Sequence, residues 1–309
     1  MSELILHHYA GSPFSEKVRL ILGFKGLPWR SVIVPNILPK PDVVALTGGY
    51  RRTPFMQIGA DVYCDSALMC RVIDALRPEP PLYPAATAGL ADIVAQWADT
   101  TLFWTAVPFT LQPAGAPHVL KDATPEMLKA FGADRAAMNP NMRRATVTDG
   151  AAALGAYLTR LEHLLHDGQP FLLGALPSIA DFSAAQSIWF IRLAPPVAEV
   201  LEAYPKVRAW YARVDAFGTG TFTKMTPFEA IDVAARGERA PLSFTAEPGL
   251  AQDDEVTVTP TDYAHDPVAG RLVGLSEREV VIARTDARAG TVHVHFPRIG
   301  FQIKKSQPT

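Results

Sequence analysis

Cysteine is nearly absent: the 309 residues hold two, Cys64 and Cys70. Two cysteines make no disulfide framework, and their spacing is not that of a CxxC redox pair. Such usage fits a reducing compartment, and both are read as small core residues. Long apolar runs are also missing. No uninterrupted stretch approaches the roughly 18 residues a membrane helix needs, so no span is expected. The stretch Met1–Ala10 has no basic leader, carries Glu3, and is too short in its apolar part for a secretory signal. Neither sign of charge dominates, with 29 Lys and Arg against 31 Asp and Glu and a net charge of -2. This balance lacks the basic face that a nucleic-acid partner requires. Lys304 and Lys305 are too few to alter that and are read as a solvated tail. No internal repeat is found. The expectation is a cytoplasmic protein without membrane or nucleic-acid partners.

What is present fits ordinary globular packing, with 48% hydrophobic and 19% charged residues. The length implies two or three domains and can bury sizeable cores without covalent staples. The first segment alternates strand and helix signals. Leu4 to Leu6 reads as a strand buried on both faces, and Ala10-Gly11-Ser12-Pro13 breaks it. Phe14, Val18, Ile21 and Leu22 follow at helical spacing, until Gly26 and Pro28 stop the helix. Trp29 to Val34 reads as a second strand, followed by a proline-rich stretch with one helical turn around Asp42 to Leu46. Phe55–Ile58 and Val62–Tyr63 form a hairpin about Gly59-Ala60-Asp61, and Leu68, Val72 and Leu76 mark another helix. The order β-α-β-α-β-β-α implies an open sheet covered by helices.

Pro78, Pro80, Pro81 and Pro84 then make a linker that no helix can cross. Helical patterns follow at Thr87–Val107, Pro125–Met138, Thr146–His166, Asp181–Leu193 and Pro205–Phe217, which read as a bundle. Beyond Ala240 the pattern changes to short alternating segments: Glu255–Thr259, Gly270–Leu275, Glu279–Arg284, Thr291–Phe296 and Ile299–Lys304. Five short strands in so few residues imply a small barrel or meander. The division expected is residues 1–77, 86–236 and 241–309.

Three local patterns in the first segment carry a resemblance. Ser12-Pro13-Phe14-Ser15-Glu16-Lys17-Val18-Arg19 follows a strand and opens a helix. Thr53-Pro54 precedes the hairpin, and Asp65-Ser66 starts the third helix. In this order and spacing they resemble the serine-type glutathione S-transferase superfamily, with a thioredoxin-like domain followed by an all-helical domain. Ser178-Ile179-Ala180-Asp181 is a capping box and resembles the cap of that family's central helix. Tyr204 to Trp210 resembles a later helix of the family. The resemblance spans about residues 1–235; it does not reach residues 241–309, and common members lack such an extension.

The resemblance implies glutathione as co-substrate, a homodimer, and transfer to a small, hydrophobic electrophile of the kind met in detoxification. Free glutathione is mostly a thiol at neutral pH, so a transferase must stabilise the thiolate. A hydroxyl at Ser12 and the positive end of the following helix suit that task, and Pro13 fits a first helical turn. Tyr9 is the rival, since other classes use a tyrosine near the end of the first strand. A plain N-cap is the structural alternative for Ser12. No cysteine stands at position 12, which argues against glutathionyl-removing thiol chemistry. The resemblance further places Pro13, Phe14, Thr53 and the cis-proline Pro54 in the glutathione site. There Thr53 would pair with the cysteinyl backbone as a short added strand does. Asp65 would take the γ-glutamyl amine and Ser66 its carboxylate. Arg51 and Arg52 are placed either at the glycyl carboxylate or in solvent. Trp97, Phe103, Trp104 and Phe109 are candidates for a second-substrate pocket, the two tryptophans sharing a helix face at a spacing of seven, with core packing as the alternative. His293 and His295 share a strand face, but two histidines fall short of the three or four ligands zinc requires, and no metal is expected. A binding or regulatory protein without catalysis, and an interaction module that no longer binds glutathione, stand as alternatives.

Overall fold

The computed structural model describes residues 3–140 and 145–306. The strands are β1 Leu4–His8, β2 Trp29–Ile33, β3 Phe55–Ile58, β4 Asp61–Cys64, β5 Phe222–Lys224, β6 Glu255–Pro260, β7 Val268–Leu275, β8 Glu279–Asp286, β9 Gly290–Pro297 and β10 Phe301–Lys305. The first helices are α1 Pro13–Lys25, α2 Pro41–Thr47 and α3 Ser66–Leu76. The bundle holds α4 Ala88–Trp97, α5 Phe103–Thr110, α6 Ala116–Val119, α7 Pro125–Met138, α8 Val147–Leu164, α9 Ile179–Arg192, α10 Pro195–Ala198 and α11 Pro205–Asp215. A last helix, α12, runs Pro227–Arg236.

The first segment folds as the pattern implies. β1 pairs parallel with β2 and antiparallel with β3, and β3 pairs antiparallel with β4. All five side chains of β1 are buried, as the short apolar run requires. Ser12 caps α1, Pro13 occupies its first turn, and Gly26 closes it in the left-handed conformation at φ 59°. The expected helix Thr87–Val107 is interrupted. Between α4 and α5, residues Ala98–Leu102 wind as a π-helical turn. Such a turn shifts the phase of everything after it.

Both edges of the first sheet are covered. β5 pairs parallel with β2, and β9 pairs parallel with β4, so the ten strands run in the order β10-β6-β7-β8-β9-β4-β3-β1-β2-β5. Open edges are templates for unwanted pairing, and this chain supplies its own cover. The C-terminal strands are a meander from β6 to β9, with β10 returning beside β6. In a flat sheet β9 and β10 would lie about 19 Å apart, four strand spacings. The link from Pro297 to Phe301 spans at most about 14 Å when extended. The five strands therefore curl towards a barrel. The irregular register between Leu272 and Gly274 aids the bend, and the rings of Phe296 and Phe301 meet at 5.5 Å.

Two apolar cores result. One lies between α1, α3 and the bundle, around Leu20, Ile21, Phe182 and Trp210. The other lies on the opposite face of the sheet, where Ile5, Val62, α12 and the C-terminal strands pack together. Residues 222–236, at the end of the stretch expected to be helical, thus join the sheet and not the bundle.

Candidate active site

The N-terminus of α1, the cis turn before β3 and the start of α3 meet on one side of the sheet. The Thr53–Pro54 peptide bond is cis. Among the described residues the Thr53 N–H donates to no backbone carbonyl. The Thr53 carbonyl faces the Ser12 hydroxyl at 3.5 Å. That distance is long for an O–H···O bond. Ser12 Oγ also accepts the Ser15 N–H at 3.2 Å, as an N-cap does, and the residue is 2% exposed. Lys40, itself buried, donates to the Arg51 carbonyl at 3.0 Å and to Thr53 Oγ1 at 3.2 Å and so holds the turn from behind. Burial lowers the Lys40 pKa to about 8.

Asp65 caps α3, its Oδ1 accepting the Ala67 N–H at 2.9 Å. Its φ of 75° is rare for a residue with a Cβ and costs on the order of 1–3 kcal/mol. Burial pushes its carboxyl up from the ordinary range, while the Ala67 N–H, Arg52 and Lys17 work the other way.

These groups open onto a cavity of about 600 Å³, a size suited to a small ligand. Phe14, Thr53, Pro54, Asp65 and Ser66 all line it. Ser12, Tyr9 and Pro13 are not among its lining residues; Ser12 sits at the cap of α1, against the lining residue Thr53. The opposite wall comes from the bundle. Asp99, on the π-helical turn, accepts Lys17 Nζ at 2.6 Å and Gln186 Nε2 at 2.6 Å. Lys17 has a fully buried side chain, and although burial opposes its charge, Asp99 holds its pKa above the usual value. The third wall is the C-terminal extension, through Asp262, Tyr263 and Pro297–Phe301.

Arg52 joins that extension to the turn. Its guanidinium pairs with the Asp262 carboxylate, donates to the Tyr263 carbonyl and lies 3.8 Å from the Tyr263 ring centroid. Its side chain is buried rather than solvated, and it lines the cavity with an Nε–H that has no partner among the described residues. Arg51 is likewise held, 2.5 Å from Asp134.

The proposed second-substrate aromatics do not gather at the cavity. Trp97 meets Tyr157 edge-on at 5.5 Å, and Phe109 packs on the first core. Trp104 stands behind the wall, edge-on to Tyr263 at 5.2 Å. A spacing of seven places two residues on one face only along an unbroken α-helix, and the π-helical turn lies between the tryptophans. Phe14 of α1, packed on Phe103 at 4.6 Å, lines the cavity instead, as do Tyr50, Tyr83, Tyr263 and Phe301. Lys17 and Asp99 escape a reading by motif because they are 82 positions apart. The one hint was a lysine on the apolar side of an otherwise regular helix.

Residues 6–81 match the model of the glutathione S-transferase N-terminal domain, and residues 144–213 that of the C-terminal domain. The crystal structure of a GST-like protein from Pseudomonas syringae superposes with a TM-score of 0.84 at 40% identity, over 99% of this chain and 100% of that one. The chain belongs to the glutathione S-transferase superfamily. That likeness includes the C-terminal extension. FtsZ-localized protein A of Caulobacter vibrioides is 26% identical over 188 residues, which is 59% of this chain and 75% of that protein. Pyrimidodiazepine synthase of Drosophila melanogaster is 32% identical over 76 residues; the match takes in 23% of this chain and spans only 31% of that protein's length. No helix among the described residues is long and apolar enough to cross a membrane.

Proposed function

We propose that the chain is a glutathione-dependent transferase of the cytoplasm, acting on a small hydrophobic electrophile. One observation carries this reading: the cis Thr53–Pro54 turn and the Asp65–Ser66 pair line the same cavity, beside the first turn of α1. In this reading the γ-glutamyl amine meets Asp65 and its carboxylate meets Ser66. The free Thr53 N–H receives the cysteinyl backbone, which points the thiol at the N-terminus of α1. The partial positive charge there favours a thiolate. The long Ser12–Thr53 contact leaves the Ser12 hydroxyl proton able to turn to the sulfur. The electrophile enters along Phe14, and the thiolate sulfur bonds to its carbon, either expelling a leaving group with its electron pair or adding to a double bond whose carbanion then takes a proton from water. Superfamily membership supports a homodimer of such subunits.

A second reading is a glutathione-binding protein without turnover, engaged with a protein partner. The burial of Ser12 and the share of the cavity wall taken by the extension favour it. The likeness to a protein named for its localisation with FtsZ points the same way.

Calorimetric titration of glutathione onto wild type and Ser12→Ala, followed by a conjugation assay with a generic aromatic electrophile, separates them. Binding by both with turnover by wild type alone supports the transferase. Binding without turnover in either supports the second reading. No binding by wild type ends both.

A further inference from the structure

His293 and His295 project from one face of β9, and β9 lies parallel to β4 with Asp61 opposite His293 and Tyr63 opposite His295. The pairing supplies the third donor that the two histidines lack on their own. Asp61 Oδ1 is 3.0 Å from His295 Nε2 and 3.5 Å from His293 Nδ1, and the three atoms lie within 4.8 Å of one another. Ligands bonded to zinc at about 2.0–2.1 Å in a tetrahedron stand about 3.3 Å apart, so both measured edges match.

The surroundings have the chemistry of a ligand shell. His295 Nδ1 is 3.1 Å from a Glu279 oxygen. If Nδ1–H donates there, the Nε2 lone pair faces Asp61 Oδ1 at 3.0 Å. Two lone pairs do not meet at that distance without a proton or a cation between them. A carboxylate behind a metal-binding histidine is the usual outer partner that fixes the tautomer and aims the ring. His293 Nδ1 is buried and makes no hydrogen bond of ordinary geometry, its neighbour Asp61 Oδ1 standing 3.5 Å away. An orphaned buried ring nitrogen is costly unless something is bound to it. The other Asp61 oxygen is held by the Ala240 N–H at 2.7 Å, which orients Oδ1 towards the histidines.

We propose that Asp61, His293 and His295 bind one divalent transition-metal ion of the zinc class, with Glu279 orienting His295. Three protein ligands leave a fourth position for water. The site bridges β4 of the thioredoxin-like unit and β9 of the extension, so the ion clips the two together. Glu279 also lines the cavity, so the clip sits directly behind the wall that the extension builds. The inference stands independently of what the cavity binds.

The test uses the full-length, untagged protein, stripped with a chelator and dialysed. Titration with Zn²⁺ by calorimetry, and with Co²⁺ by visible absorption, is expected to give one equivalent. The Co²⁺ complex is expected to show the intense d–d bands of a four-coordinate N/O site. His293→Ala, with its fold checked by circular dichroism, is expected to weaken Zn²⁺ at least about a hundredfold, more than the loss of an outer partner does. Glu279→Gln is expected to weaken it about 10- to 100-fold. Zn²⁺ is expected to raise the melting temperature of wild type and not of His293→Ala. No stoichiometric uptake by wild type overturns the proposal and leaves His295 as a protonated bridge between two carboxylates. Equal uptake by wild type and His293→Ala overturns it as well.

Discussion

The guanidinium of Arg52 lies 3.8 Å from the ring centroid of Tyr263, a residue 211 positions further along the chain. The same guanidinium grips Asp262 and the Tyr263 carbonyl. Arg52 immediately precedes the Thr53–Pro54 turn, so the extension is fastened to the loop that builds the cavity. Burial works against the charge on Arg52, yet Tyr263, Tyr50 and Asp262 raise its pKa and keep it a cation. The extension is thus a structural part of the site's wall.

Tyr263→Ala should therefore be felt at the turn. It removes a desolvated cation–π contact, about 2 kcal/mol, together with the edge contact to Trp104. The expected cost is about 2–4 kcal/mol in urea unfolding, with weaker binding of any ligand seated on Thr53. Tyr263→Phe keeps the ring and should stay close to wild type in both measurements. Equal stability of the alanine and phenylalanine variants would refute the contact's importance.

The contrast between this contact and the local motifs explains what could be read in advance. Ser12-Pro13, Thr53-Pro54, Asp65-Ser66 and Ser178–Asp181 act within a few residues, so their chemistry is visible in their spacing. Arg52 with Tyr263, and Lys17 with Asp99, become neighbours only through the tertiary fold. The π-helical turn at Ala98–Leu102 has no sequence mark, and it undid the pairing of Trp97 with Trp104. β5 is three exposed residues long and shows no period. α12 opens on a local signal, the capping box Thr226-Pro227-Phe228-Glu229 with proline in the first turn, which a helical pattern traced only to Phe217 leaves out. The curl of the last five strands follows from the short β9–β10 link only once β10 is known to pair with β6.

Asp65 offers a separation of stability from binding. Asp65→Asn keeps an oxygen for the Ala67 N–H and the same volume, and it removes a carboxylate whose charge is disfavoured by burial. The melting temperature should hold or rise slightly. In the proposed glutathione pose the amine would lose a charged partner, a contact worth about 1.5–3 kcal/mol, so glutathione affinity should fall at least about tenfold. Calorimetry and thermal denaturation on the same preparation check both. Unchanged affinity would remove Asp65 from the γ-glutamyl site.

The first strand predicts the acid limb of stability. Gln57 Nε2 donates to the Gly59 and Ala230 carbonyls, so its Oε1 accepts from His7 Nε2–H at 3.0 Å. Arg19 can only donate, so His8 Nδ1 accepts from it at 3.0 Å and Nε2–H donates to Ser31 at 2.8 Å. Both rings are neutral. Burial lowers the His7 pKa to about 4 and, with Arg19 and His7 adding to the effect, the His8 pKa to about 3. The unfolded chain takes up these protons near pH 6.5 and the folded chain does not. Stability should therefore be full above about pH 6.5 and fall as pH drops towards 4, by on the order of 3 kcal/mol for His7 alone. His7→Gln should remove the His7 share of that fall from the urea-midpoint profile between pH 6.5 and 4 and leave the His8 share in place.

Asp181 is the strongest test of the bundle. Its Oδ1 accepts the Leu172 N–H and the Trp210 Nε1–H, each at 2.8 Å. Its Oδ2 accepts the Ser178 N–H at 2.8 Å and the Ser178 hydroxyl at 3.1 Å. One buried carboxylate thus caps α9, closes the loop before it and anchors the indole of α11 in the first core. Removing it leaves four donors without an acceptor where water cannot reach, and each unsatisfied group costs about 1–3 kcal/mol. Asp181→Ala should lose at least about 4 kcal/mol in urea unfolding and express poorly, while Asp181→Asn, which retains one good acceptor, should fall between. Ser178→Ala removes only the hydroxyl half of the cap and should cost about 1 kcal/mol. If Asp181→Ala proved no worse than Ser178→Ala, the carboxylate would be a helix cap alone and Trp210 would be held by packing.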